Sequence, residues 1–133
     1  MNVRRLGLVL LLIAVAVLGG GWLALGHVGE QPDPDKHLVI ENEMNERVAV
    51  DVRVIRHATN ETVHEATYLI DPETRQTVYN TRAAAPDGVE TFVFVLTARN
   101  TTERIGIQTS ECQGGPELRI SAGGLVSVGH VVC

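Results

Sequence analysis

The chain has 133 residues with 11 basic and 16 acidic side chains, a formal net charge of −5 and 44% hydrophobic content, which leaves room for one domain. Arg4 and Arg5 precede an apolar run, so nine of the eleven basic residues face all sixteen acids beyond it, an excess of seven negative charges. That balance excludes charge-driven binding to nucleic acid or to an anionic lipid surface.

The apolar run covers positions 6–25, twenty apolar or glycine residues without a charge. An α-helix of that length is about what crosses the ~30 Å hydrocarbon core of a bilayer. With Arg4-Arg5 on its N-terminal flank, the positive-inside bias keeps that end in the cytoplasm and sends the rest outward. Ala24-Leu25-Gly26 puts small residues where a signal peptidase inspects the chain, whereas the length of the run and the interfacial position of Trp22 favour retention. Leu6-Gly7-Leu8 fits a twin-arginine signal poorly, and no cysteine stands near the end of the run to carry a lipid. Residues 1–26 are therefore expected to be a signal-anchor or signal peptide.

Residues 27–36 are polar, contain Pro32 and Pro34, and show no apolar periodicity, which predicts a tether. Glu30, Asp33 and Asp35 invite a calcium reading, but the EF-hand spacing and glycine are missing and prolines separate the aspartates. Lys36 is the sole lysine of the chain. An acidic, lysine-poor, arginine-using surface fits a high-salt environment, and equally the compositional drift of a GC-rich genome.

From position 37 the period becomes two. A strand is expected over 37–41, then a polar turn over 42–46. Val48, Val50, Val52 and Val54 alternate with Ala49, Asp51 and Arg53 as a half-buried strand. A turn over 57–61 leads into a strand over 62–70 with Ala66, Tyr68 and Ile70 on one face. Asp71-Pro72-Glu73-Thr74 reads as a turn in which proline presets φ. A brief strand over 77–80 and a loop over 83–88 follow.

The strand over 89–98 carries Phe92, Phe94 and Leu96 on one side with Val93 and Val95 on the other, which implies a central strand or one whose outer face is also covered. After a turn at 99–102, a strand over 103–109 is expected to bury Ile105 and Ile107. A loop at 113–116 precedes a hairpin of 118–120 with 126–132 around Gly123. About eight short strands with turns every eight to twelve residues predict an antiparallel sandwich or barrel over 37–133.

Cys112 and Cys133 are the only cysteines. A hairpin turning near Gly123 sets them at nearly the same height, so they are expected to form a disulfide in an oxidising compartment. No CxxC is present, and the histidine and methionine spacing of a copper or zinc site is lacking, so no metal or cofactor is expected. Asn60-Glu61-Thr62 and Asn100-Thr101-Thr102 fit the N-glycosylation pattern, each in a predicted turn. For catalysis, no G-x-S-x-G elbow, H-E-x-x-H or P-loop occurs, and His37, His57, His64 and His130 are scattered. An enzyme is not expected.

The succession RVAVDVRVIR, ETVHEATYLIDPETRQTVYN, VETFVFVLTA and SEC…LRISAGGLVSVGHVVC resembles small exported proteins of salt-loving archaea with an immunoglobulin-like β-sandwich. The resemblance covers about 38–133 and implies seven to eight strands and a late cysteine paired near the C-terminus. It implies no activity. The chain lacks the central tryptophan and widely spaced cysteines of antibody domains. Two functions follow as expectations. One is a non-enzymatic module on the outside of the cell membrane, single-pass, using loops such as 83–88 on an unidentified protein partner. The other is a secreted binding or inhibitor domain released after Gly26.

Overall fold

A computed structural model describes residues 31–132; the apolar run over 6–25, the rest of 1–30, and Cys133 lie outside the described residues. Among the described residues no helix is long and apolar enough to cross a membrane. The chain forms β1 (His37–Asn42), β2 (Val48–Arg56), β3 (Glu61–Ile70) and β4 (Thr74–Asn80), a 3-10 turn at Thr81–Ala83, then β5 (Thr91–Ala98), β6 (Thr101–Gln108), β7 (Glu117–Ile120) and β8 (Val126–Gly129). These make two four-stranded sheets: sheet I in the order β4-β1-β7-β8, and sheet II in the order β3-β2-β5-β6. The fold is all-β and sandwich-like.

Alternation decides which side chains enter the core. Val48, Val50, Val52 and Val54 of β2 are buried while the residues between them are exposed. Phe92, Phe94 and Leu96 of β5 are wholly buried against them, and Leu38, Ile40, Leu118 and Ile120 of sheet I complete one core cluster. Each such side chain contributes about 1.5–3 kcal/mol by leaving water. As the two-sided apolar pattern predicts, β5 is an internal strand between β2 and β6.

One pairing departs from the antiparallel expectation. β1 and β7 run parallel, with Ile40 opposite Leu118 and Asn42 opposite Ile120. The reason is the connection from β6 to β7: it crosses from sheet II to sheet I at the end where β6 stops and does not return. β7 therefore starts at the same end as β1 and runs beside it.

Strand boundaries differ by one or two residues in several places and by three at the start of β4 and the end of β8. β4 begins at Thr74, three residues before the expected start, because Arg75 and Gln76 pair with Glu41 and Ile40 along an exposed edge. A strand with one wet face and one open edge needs few apolar residues, so its polar sequence hid it. The strand expected over 126–132 stops at Gly129, and only an isolated bridge between Gln113 and Val132 continues it. In β6 the side chain of Ile107 is buried as expected, whereas Ile105 is half-buried.

The polar stretch expected to be a free tether is docked over 31–36. Pro32 bridges Ser110, the Asp33 N–H donates to the Thr109 carbonyl at 3.0 Å, and the Glu111 N–H donates to the Gln31 carbonyl at 3.0 Å. Pro32 and Pro34 suit such an extended edge, because it asks no hydrogen bond of their missing N–H groups.

Candidate functional site

Strand direction gives the molecule two distinct ends. The near end, where the described chain begins, gathers residues 31–37, the turn after β2, the 81–90 segment, the β6–β7 loop and the residues after β8. The far end gathers the turns at 43–47, 71–73, 99–100 and 121–125. Pairing fixes this division: Arg56, Glu61, Thr91 and Gln108 lie together at one end of sheet II, and Val48, Ile70, Ala98 and Thr101 at the other.

The near end is closed by a buried lysine. Lys36 is 2% exposed. Its Nζ donates to Asp33 Oδ2 at 3.0 Å and to the Gln113 carbonyl, tying the first described residues to the loop that carries Cys112. Thr81 completes the closure: its hydroxyl accepts from the Lys36 N–H at 3.1 Å and donates to the Pro34 carbonyl at 2.6 Å. Outside it, Asp35 accepts from Arg82 at 2.7 and 2.6 Å and from Asn80 at 3.0 Å. The Arg82 guanidinium, seconded by the Asn80 amide, holds the Asp35 carboxyl well below the usual carboxylate range.

The far end is organised by Asn42, which is 1% exposed. Its amide donates to the carbonyls of Glu46, Ile70 and Asp71 at 2.9–3.2 Å, and its Oδ1 accepts from the Met44 N–H. Beyond it the turns carry exposed ion pairs, Arg47 with Asp71 and Arg99 with Glu46. The two-residue turn Arg99-Asn100 takes φ of 50° and 64°, the left-handed geometry a tight hairpin requires.

Chemistry-bearing side chains also meet along the seam between the edge strands β3 and β4. His64 faces inward opposite Val54 and stacks on Tyr79 at 4.4 Å, while its Nε2 lies 2.7 Å from the Tyr68 hydroxyl. Tyr79 packs edge-on to Phe94, and its own hydroxyl is buried with no hydrogen-bond partner among the described residues. Burial pushes both phenols up, so each stays a protonated donor at neutral pH. Nearby, Arg56 donates to Glu90 and to the Ala84 carbonyl and sits 5.4 Å over the Phe92 ring. The group joins the two sheets.

The outer faces of the sheets differ. On sheet I, Arg75, Glu41 and Arg119 lie in one row. Arg75 meets Glu117 at 2.7 Å and Glu41 at 3.7 Å, and Arg119 meets Glu43 at 2.8 Å and Glu41 at 3.7 Å. On sheet II, Glu65, Arg53, Val95 and Arg104 form one row across the four strands. Glu65, Arg53 and Arg104 enter no ion pair among the described residues. An open depression here is lined by Asp51, Arg53, Glu65, Thr67, Val95 and Thr97.

The residues singled out from sequence fall apart in space. Asn60, exposed with φ of 58°, sits at the near end, and Asn100 is exposed at the far end. The loop over 83–88, expected to face outward from a membrane tether, shares the near end with the docked 31–36 segment, since Arg56 donates to the Ala84 carbonyl and Thr109 Oγ1 to the Gly88 carbonyl. Cys112 is half-buried in the β6–β7 loop. Lys36, Asn42 and Tyr79 were missed. A lone lysine in a polar stretch gives no sign of burial, and an asparagine after a strand reads as an ordinary turn residue. Among the described residues no three His, Cys, Asp or Glu side chains are placed to hold a metal. Neither a protein-family model nor a curated protein matches the chain.

Proposed function

We propose that the chain is a non-enzymatic, extracytoplasmic module of immunoglobulin-like fold, held to the cell membrane by residues 6–25 and presenting its far end to a protein partner. The carrying observation is the docked 31–36 segment: only 26–30 separate the apolar run from a clamp of Asp33, Lys36 and Thr81 onto the near end. Five residues reach at most about 18 Å, so the near end stays close to the bilayer and the turns at 43–47, 71–73, 99–100 and 121–125 point away from it. Two four-stranded sheets over one core, with an internal β2–β5 pairing, support the immunoglobulin-like reading.

A Cys112–Cys133 bridge belongs to the same proposal. Gln113 pairs antiparallel with Val132, and the Gly114 N–H donates to the Val131 carbonyl at 2.7 Å. That antiparallel register beside Cys112 supports the pairing. Asn60 and Asn100 remain proposed glycan acceptors at opposite ends of the domain; their left-handed φ also suits asparagine for its own sake.

Membrane fractionation tests the anchor. Pelleting with the membrane and resistance to alkaline extraction are expected. A mature N-terminus at His27 in the medium would establish the secreted binding domain instead. Non-reducing mass spectrometry tests the bridge: no free thiol is expected, and two free thiols would remove it.

A further inference from the structure

We infer that the outer face of sheet II is a self-association surface, on which a second copy of this chain docks face to face about a two-fold axis parallel to the strands. Two observations lead there. Sheet I neutralises its own outer charges in a continuous set of ion pairs, whereas on sheet II Glu65, Arg53 and Arg104 enter no ion pair among the described residues. The unpaired charges also have a spatial order. Glu65 is on the edge strand β3 and Arg104 on the opposite edge strand β6, in the same row.

A two-fold axis along the strands, running between β2 and β5, exchanges left and right without moving a residue up or down its strand. It lays β3 of one copy over β6 of the other and β2 over β5. Glu65 then faces the second copy's Arg104, and Arg104 faces its Glu65, so the pair forms twice. In the same row each Arg53 comes down on the second copy's Val95, where its methylene stem covers apolar surface.

The neighbouring rows agree. Ile55, Val93 and Gly106 form the next row toward the near end, so Ile55 lands on Val93. Both are half-buried, and a Cβ placed on Gly106 would meet nothing within 4 Å, which leaves room beside them. Thr67, Asp51, Thr97 and Thr102 form the row on the other side, so Asp51 faces a threonine hydroxyl that can donate to it. No row opposes like charges, the arrangement that would forbid the contact.

Four strands about 4.8 Å apart and about eight residues long give a footprint on the order of 500 Å² per copy. Two footprints reach about 1,000 Å², the lower range for a specific interface, so a weak dimer is expected from free copies. This inference deepens the membrane-tethered reading. The axis is parallel to the strands, so both near ends point the same way, as two copies on one membrane require, and confinement there raises their effective concentration.

The test uses the full chain in detergent micelles, with self-association followed by fluorescence transfer between two labelled populations. Wild type should associate in a concentration-dependent way. R104E alone and E65R alone should each weaken association about 10-fold or more, through like-charge contact in both halves of the interface. The double variant E65R/R104E should return to within about threefold of wild type, because the swap rebuilds both pairs. Neither residue has an ion-pair partner among the described residues, so the thermal unfolding of the variants should match wild type. Monomeric wild type, association indifferent to R104E, or a double variant that fails to recover would each overturn the interface. Membrane pelleting reads the anchor separately, so a released chain that still associates keeps this interface while losing the tether.

Discussion

The two ends of the domain solve the same problem, closing an open sandwich, with different chemistry. At the near end the closure is long-range and buried: Lys36, 2% exposed, reaches across to the Gln113 carbonyl, and Thr81 binds the backbone of Pro34 and Lys36 on either side of Asp35. At the far end one buried side chain, Asn42, holds the turns, and the ion pairs beyond it are exposed. Exposed pairs contribute about 0–1 kcal/mol each, so the far end is held mostly from inside and its surface is free to vary. The near end has no such freedom, because its polar atoms satisfy one another in the interior.

That contrast can be broken from the near end first. Under the proposed Cys112–Cys133 bridge, Cys133→Ser should have the largest effect, on the order of 2–5 kcal/mol in chemical unfolding, because that bridge would close a loop of about 20 residues. An unfolding midpoint unchanged from wild type, and unchanged by reductant, would mean that Lys36 closes the near end alone. At the far end, Asn42→Ala should cost about 2–3 kcal/mol, since several buried backbone groups lose their partner together. Hydrogen exchange should then rise at Met44 and around Ile70 and Asp71 while the near end keeps its protection.

Smaller changes sharpen the comparison. Arg99→Asn should stabilise by a few tenths to about 1 kcal/mol, because asparagine tolerates left-handed φ better than arginine, and only the exposed Glu46 pair is given up. A clear loss in thermal unfolding would show that Arg99, whose guanidinium lies beside Gly124, packs the far end together. Asp35→Asn should lower stability slightly at neutral pH, and its difference from wild type should close on the acid side. The Asp35 carboxyl is held below its unfolded value, so its contribution is present above the ordinary carboxylate range and is lost as pH falls through the lower folded value. The stability of wild type and Asp35→Asn should therefore converge as pH falls; a difference that is absent at neutral pH, or that does not change with pH, would show that the ionised carboxyl gains nothing from Arg82.

Much of the architecture was legible because it rests on period two. The valines of β2 and the two-sided apolar pattern of β5 can occupy only a core-facing and a central strand, and they do. What escaped was set by partners distant in sequence. β4 begins early because Glu41 and Ile40 offer it an edge, and residues 31–36 dock because Thr109 and Gln113 await them some eighty residues later. The parallel β1–β7 pairing follows from the end at which the β6–β7 loop crosses, which no local pattern encodes. The charges of the two outer faces were visible as letters, but whether Arg75 or Arg53 finds a partner depends on the register of three strands.

The position of β1 has a mechanical consequence. It is the first strand after the docked segment, and it is bonded on both sides, to β4 and to β7. A load applied between the far end and the start of the chain pulls along β1, so the hydrogen bonds of two ladders are strained together in shear instead of opening one at a time. A domain built this way resists being drawn out through its first described residues.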